Sequence, residues 1–453
     1  MSTTYIFLIV IAGVAMLLMM VLKFRLNAFI SLLITSIFVG ILAGMPLTKI
    51  SESIQEGMGG TLGFIATVVG LGAIFGQMLE SSGGARSLSR FLLKKFGKER
   101  APWALMLSGF MIGIPIFLDV GFIILIPVVY SLTRETKRSI LAFAIPLLAG
   151  LAVGHAMIPP TPGPVAVANI LEVELGWVIL FGVIIGLPAA IIAGPVFGRF
   201  ISGKIHIPAP DDIIKPEGES EVAGHKTPSY GVIALLIFVP LLLILMGTFI
   251  KVGADKGIVT KSLLTDILIF IGHPFTALII ATLLSILLCL RLKMSGQTIL
   301  DLSTKALGPA GIIILVTGAG GVLKQILVDS GIGVILAESI AGSSIPVVFL
   351  AWALAALVRV TQGSATVAMI TAAGILSPVL PALNLSQPDS AIIVIAIASG
   401  ATILSHVNDS GFWIVNKYLG MNEKQTLQSW TIMETIISLT GLGLSLLLSI
   451  IIK

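Results

Sequence analysis

Apolar runs long enough to cross a bilayer alternate with short charged loops along almost the whole chain. A spanning helix needs roughly 20 apolar residues. Runs of that kind cover 4–22, 27–45, 61–80, 139–171 and 177–198, and then 229–250, 263–290, 307–328, 389–416 and 430–452. Tyr5–Leu22 is followed, not preceded, by Lys23 and Arg25, and no small-residue cleavage site comes after it, so a retained helix is expected there rather than a signal peptide. Between the two sets, 201–228 gathers Asp211, Asp212, Glu217, Glu219, Glu221, Pro208, Pro210, Pro216 and Pro228, which reads as a solvated cytoplasmic linker. The chain is therefore expected to divide into halves at 1–200 and 229–453.

Loop charge sets direction. Lys23 and Arg25 form one basic turn, and Arg86, Arg90, Lys94, Lys95, Lys98 and Arg100 a second. Arg134, Lys137 and Arg138 form a third, with Arg199 and Lys204 closing the half. The positive-inside rule puts all four in the cytoplasm, and Glu52, Glu56, Glu172 and Glu174 outside. Pro102–Leu132 breaks the alternation, because both of its flanks are basic. At ~30 residues it is long for one span and short for two. Its middle, Gly113-Ile114-Pro115-Ile116-Phe117-Leu118-Asp119-Val120-Gly121, is full of helix breakers. A re-entrant hairpin from the cytoplasm is the economical arrangement; two short tilted helices are the alternative.

The halves repeat. One constant offset places Gly60, Gly63, Gly70, Gly72, Gln77, Leu79, Ser82 and Gly83 on Gly308, Gly311, Gly318, Gly320, Gln325, Leu327, Ser330 and Gly331. Beyond it, an interrupted segment around Arg359–Ser364 and a broken helix around Ser405–Gly411 follow in matching order. The first half crosses an odd number of times, so matching segments run in opposite directions, the pattern of an inverted-topology repeat. The second hairpin, roughly 345–386, then enters from outside. Lys251, Lys256 and Lys261 fall in an outer loop, against the charge trend. The expected fold is an all-α polytopic membrane protein of about ten spanning helices, two of them broken, plus two re-entrant hairpins.

Composition narrows the classes. Hydrophobic residues make up 56% of the chain and charged residues 11%, against about 25% charged in soluble domains, which excludes a cytosolic enzyme. The single cysteine, Cys289, excludes a disulfide framework and a cysteine metal cluster. Basic residues confined to loops speak for membrane orientation and not for nucleic acid. No P-loop and no H-E-x-x-H occurs, so neither an ATP-driven pump nor a metalloprotease is expected, and no cofactor or metal.

Chemistry concentrates at four breaks. Broken helices inside a bilayer persist only where packed in protein or lining a wet cavity. Their half-helix N-termini carry free N–H groups and partial positive charge suited to a carboxylate. The first break offers Asp119 with Val120 and Gly121, the acid serving as proton carrier, substrate contact or N-cap. The second, Gly154 to Pro164, holds four prolines in six residues, with Thr161 its one hydroxyl, Gly163 a permissive position and His155 a group titrating near neutrality. The third carries Thr361, Gln362, Gly363 and Ser364. Arg359 beside it either pairs with an anion or snorkels to the interface, the snorkel being favoured. The fourth, Ser405-His406-Val407-Asn408-Asp409-Ser410-Gly411, is the densest polar cluster in any apolar run, and His406, Asn408, Asp409 and Ser410 join the candidate binding set. Asp119, His155 and Asp409 are the candidate proton carriers. His206 and His225 read as solvated, His273 as structural, Lys324 as snorkelling, and Trp103, Trp177 and Trp430 as interface anchors.

These stretches carry a family likeness. Gly57–Gly60 into Gly84, Asp119-Val120-Gly121-Phe122, Ile158–Pro164, Gly363-Ser364-Ala365-Thr366-Val367-Ala368 and Ser405-His406-Val407-Asn408-Asp409-Ser410-Gly411-Phe412-Trp413 resemble the gluconate permease (gluconate/proton symporter) family of ion-transporter-fold carriers, nearly end to end. The resemblance implies a dimerising scaffold domain, hence a homodimer, and a transport domain of two hairpins and two broken helices. It further implies elevator-like alternating access in the inner (plasma) membrane. The sequence departs from the family pattern at Thr161, where His is expected, at Gln362, where an aliphatic residue is expected, and at Asp119, where Glu is expected. The substrate expectation is accordingly an anionic hydroxy acid: gluconate or a related sugar acid, with glycerate or D-serine as alternatives. Protons are the expected coupling ion and sodium the alternative, with Asn408, Ser410 and Thr361 offering oxygens to a hard cation. An intramembrane enzyme using His406 and Asp409 and a passive channel are the rivals from other classes.

Overall fold

The computed structural model describes residues 3–210, 228–333, 335 and 345–452, and the described residues form helices and turns without a strand. The acidic part of the expected linker, 211–227, lies outside the described residues, as do His225 and the stretch 336–344 before the second hairpin. In the first half the order is α1 (Thr3–Leu22), α2 (Ala28–Leu42), α3 (Leu47–Ser81), α4 (Gly84–Phe96), α5 (Ala101–Gly113), α6 (Leu118–Thr136), α7 (Leu141–Met157), α8 (Pro162–Ile170), α9 (Leu175–Ile191) and α10 (Phe197–Lys204). The second half adds α11 (Tyr230–Asp255), α12 (Leu263–Gly272), α13 (Pro274–Arg291), α14 (Gly296–Asp329), α15 (Val347–Gln362), α16 (Ala365–Leu376), α17 (Gln387–Gly400), α18 (Ser410–Leu419), α19 (Glu423–Thr426) and α20 (Ile432–Ile451). Among the described residues, seven helical stretches are long and apolar enough to cross a membrane, and further apolar helices are shorter.

The helices that carry the repeat signature, α3 and α14, pack on each other and run antiparallel. Ser53 meets Asp329 at 2.6 Å, Gly57 lies on Gly321 and Val322, and Gly70 lies on Leu307, so positions rise on one helix as they fall on the other. The close crossing depends on glycine: a Cβ on Gly321 would strike Thr61 Oγ1 and the Gly57 carbonyl. These helices have 35 and 34 residues. At ~1.5 Å per residue they exceed the ~30 Å hydrocarbon layer, so they tilt or project beyond it.

Both hairpins reverse as expected. Met106 lies beside Gly150 and Phe110 beside Gly154, so α5 and α7 are parallel and α6 must return between them. The second half repeats this, with Gly400 on Trp352 and the His406 ring on the Val360 carbonyl, so α15 and α17 are also parallel. The helices break where local chemistry requires it. Prolines 159 and 160 end α7, while Pro162 and Pro164 open α8 at the helix start, where their missing N–H groups cost nothing. Gly363, at φ +87°, closes α15 with its N–H on the Arg359 carbonyl, and Ser364 caps α16 through Val367 N–H.

Some expectations change. The basic stretch after Gly83 is not a turn but the amphipathic helix α4, with Arg86, Arg90 and Lys94 one helical turn apart and Leu88 buried. The run 263–290 is interrupted at His273-Pro274, where His273 caps α13 through Phe275 N–H at 3.3 Å, the structural role expected of it. Lys251 sits in an ion pair with Glu174 at 2.5 Å. One of the three lysines that run against the charge trend is thus neutralised by an acid expected on the same side.

Candidate functional site

The two breaks of the first half converge on α3. Ile114–Phe117, His155 and Pro160–Pro162 line a small open cleft with Val69, Gly72 and Ala73. Thr161 is buried and its hydroxyl donates to the Ile158 carbonyl at 2.6 Å, so it braces the loop between α7 and α8. His155 packs on the Phe117 ring at 5.5 Å and its buried Nδ1 has no partner. Gly163 is pressed against the Met369 side chain of α16, which joins the first half to the second hairpin.

Asp119 differs from the expectation in two ways. It is exposed rather than buried, and it lies in the first turn of a helix that begins at Leu118, so it is not the N-cap. It faces His155 and Glu80 closely enough to act on both charges. Val120 is half-buried, whereas Gly121 turns inward against Leu151 and Ile112 and serves the packing of α6 on α5 and α7.

The two breaks of the second half interlock through charge. Arg359 is 4% exposed and does not snorkel. Its Nη2 pairs with Asp409 Oδ2 at 2.5 Å, and its Nη1 donates to the Gly363 carbonyl at the hairpin tip. The half-buried Asp409, the N-cap residue of α18, supplies the counter-charge that a snorkelling arginine would have sought in water. Asp409 caps α18 by accepting Gly411 N–H at 3.1 Å and also accepts Ser405 Oγ–H at 2.5 Å. Ser405 in turn accepts the Trp430 indole N–H at 2.7 Å, and its carbonyl accepts Thr431 Oγ–H. Trp430 is therefore buried in the polar network and is not an interface anchor. The Val360 carbonyl collects His406 Nε2 and Asn408 Nδ2, each at 3.0 Å, which sets the His406 proton on Nε2.

The remaining candidates divide. Gln362 keeps its amide oxygen buried and unpaired, and Gly363 lies against the Asn408 carbonyl. The Thr361 hydroxyl is turned back onto the Leu357 and Val358 carbonyls, while Ser410 is exposed at the start of α18. No hydrogen bond joins the first-half cluster to the second-half cluster among the described residues. Lys324, expected to snorkel, instead donates to the Ile170 carbonyl at 3.0 Å and pairs with Glu172 at 2.8 Å, a cation on the C-terminus of α8. Two participants were absent from the candidate set. Ser405, inside the polar motif, links Asp409 to Trp430 through its hydroxyl, and Glu434, an acid within the apolar run 430–452, is 4% exposed and acted on by Arg359 and Asp409.

Paired hairpins and paired broken helices, meeting at polar breaks inside an apolar bundle, are a carrier's architecture. A family model described as GntP family permease matches residues 5–451. The chain belongs to the GntP permease family. The low-affinity gluconate transporter of Escherichia coli is 42% identical over 443 residues, covering 97% of each chain. The gluconate permease of Pseudomonas aeruginosa is 38% identical, covering 99% of this chain and 98% of its own. The Gnt-II system L-idonate transporter of Escherichia coli is 36% identical across 96% of this chain and 97% of its own. Among solved structures, the Alcanivorax borkumensis YdaH transporter superposes with a TM-score of 0.65 at 16% identity, covering 94% of this chain and 97% of that one. At that identity the likeness concerns the fold. This GntP permease is a multi-pass inner-membrane transporter and not an enzyme.

Proposed function

We propose that this permease imports a small hydroxylated monocarboxylate, gluconate or a related sugar acid, together with protons. The single observation that carries the reading is the second-half break. A buried guanidinium there, Arg359, bridges the hairpin tip and the broken helix through Gly363 and Asp409, and leaves its Nε unpartnered. The N-termini of α16 and α18 open at the same place and add free N–H groups. Such a site favours a carboxylate, and the unpaired Gln362 oxygen and the Asn408 amide suit the hydroxyls of a polyol chain. Names among the relatives, gluconate and L-idonate, belong to that chemical class.

In this mechanism the anion binds between the paired breaks, the hairpin tip closes over it, and the bundle of hairpins and broken helices moves against the remaining helices. A homodimer would hold the latter fixed while each transport bundle moves as an elevator. The experiment is counterflow in proteoliposomes loaded with labelled gluconate and challenged from outside with gluconate, idonate, glycerate or D-serine. Exchange with the sugar acids is expected. Exchange with D-serine alone would move the substrate class to amino acids. Replacement of sodium by choline at fixed pH is expected to leave the rate unchanged; a collapse would reassign the coupling ion.

A further inference from the structure

One buried acid has no role in the scheme above. Glu434 lies in the first turn of α20, is 4% exposed, and neither a hydrogen bond nor an ion pair among the described residues steadies its carboxylate. The charges acting on it are Arg359 and Asp409. The elements packed on α20 are α7, α9 with the turn Ile192–Val196 that continues it, α15, α17 and the preceding turn Leu427–Thr431, and neither turn carries an ionisable group. They bring His155 from the end of α7, no ionisable group from α9, Arg359 from α15 and Asp389 from the far end of α17, with Asp409 beyond its near end.

The charge count in this cluster is informative. Arg359 balances Asp409, and Asp409 is further satisfied by Ser405 and the Gly411 N–H. An ionised Glu434 would add a second negative charge in the interior with no donor on its oxygens, a costly arrangement; the neutral carboxyl avoids it. The guanidinium meanwhile holds one buried donor in reserve, the Arg359 Nε without a partner. Arg359 also grips the Gly363 carbonyl at the hairpin tip, so any motion of the tip moves the one cation that both acids share.

We propose, building on the proton-symport reading, that Glu434 carries the transported proton. With Arg359 on Asp409 and Gly363, a proton from water on the entry side bonds to a Glu434 carboxylate oxygen. When tip motion brings the guanidinium toward Glu434, that O–H bond breaks and the proton leaves to water on the exit side. The anion and the proton cross together, so transport is electroneutral. Arg359 is the positioning residue that links proton affinity to the state of the hairpin.

The test uses full-length protein in proteoliposomes and labelled gluconate, with two readouts: exchange at equal pH, and accumulation driven by an inward gradient. For one proton per anion, a gradient of about one pH unit supports about tenfold accumulation. In E434Q, exchange is expected within about twofold of wild type while gradient-driven accumulation falls to about unity. E434D is expected to accumulate with a shifted pH profile. Accumulation by E434Q equal to wild type overturns the proposal. Wild type that exchanges gluconate without accumulating it overturns proton coupling itself. Independently of any substrate, infrared spectroscopy at neutral pH is expected to show a buried protonated carboxyl band that E434Q lacks. If E434Q does not fold, E434D decides: an unshifted band and an unshifted pH profile would remove Glu434 from the mechanism.

Discussion

Arg359 shows at the level of one side chain how an ionisable group inside an apolar bundle acquires its place. Length and a nearby helix end made snorkelling the natural expectation, yet the side chain is enclosed and paired with Asp409. What the sequence could not supply was the partner, because Asp409 lies fifty positions away and meets Arg359 only once two parallel helices align their breaks. The energetic consequence is asymmetric: removing one member of a buried pair leaves the other uncompensated, at a cost of about 3–5 kcal/mol. Arg359→Ala is therefore expected to lower the unfolding temperature in detergent and abolish exchange. Arg359→Lys is expected to fold better but to transport poorly, since one ammonium cannot hold both Asp409 and the Gly363 carbonyl with the planar fork of a guanidinium. Full exchange by the Lys variant would show that point charge alone suffices. Glu434 teaches the complementary lesson. The rule that flagged Asp119 applies to it equally, and it was hidden by its position near the start of an otherwise ordinary apolar run.

At the level of elements, the breaks were legible because glycine and proline act locally. Gly363 sits at φ +87° with Asn408 against it, so both its backbone state and the space around it resist a side chain. Gly363→Ala is expected to cost about 1–3 kcal/mol of local strain, read as weaker gluconate binding with a stable bundle. Unchanged affinity would mean the tip tolerates a reshaped turn. Less legible were elements set by tertiary context. The helix α4 was concealed in a basic loop whose charges pointed to membrane sidedness and drew attention from the apolar stripe of Leu88 and its neighbours. The interruption between α12 and α13 was concealed by a run whose hydropathy continues through it, although the Pro274 that opens α13 was in plain view.

Across the whole molecule, α3 and α14, which carry the shared glycine signature, run antiparallel, and in each half the helices flanking the hairpin's return, α5 with α7 and α15 with α17, run parallel. Sidedness has a direct check. The native Cys289 is fully buried, so wild type is expected to be silent to a membrane-impermeant maleimide. Lys251→Cys is expected to react from the outer face of intact cells, and Lys95→Cys only after permeabilisation. Reaction of both from one face would overturn the assigned topology.

The indole groups of the second half have a practical consequence. Trp352 donates to Ser438 at 2.9 Å, Trp413 to the Val407 carbonyl at 2.9 Å and Trp430 to Ser405 at 2.7 Å, so three of the chain's five tryptophans are hydrogen-bonded on or beside one break. The ultraviolet emission of the unlabelled protein is thereby weighted toward that region. A ligand that reorders Ser405 or Val407 alters the surroundings of these fluorophores, and the permease comes with an optical gauge of its own conformational cycle.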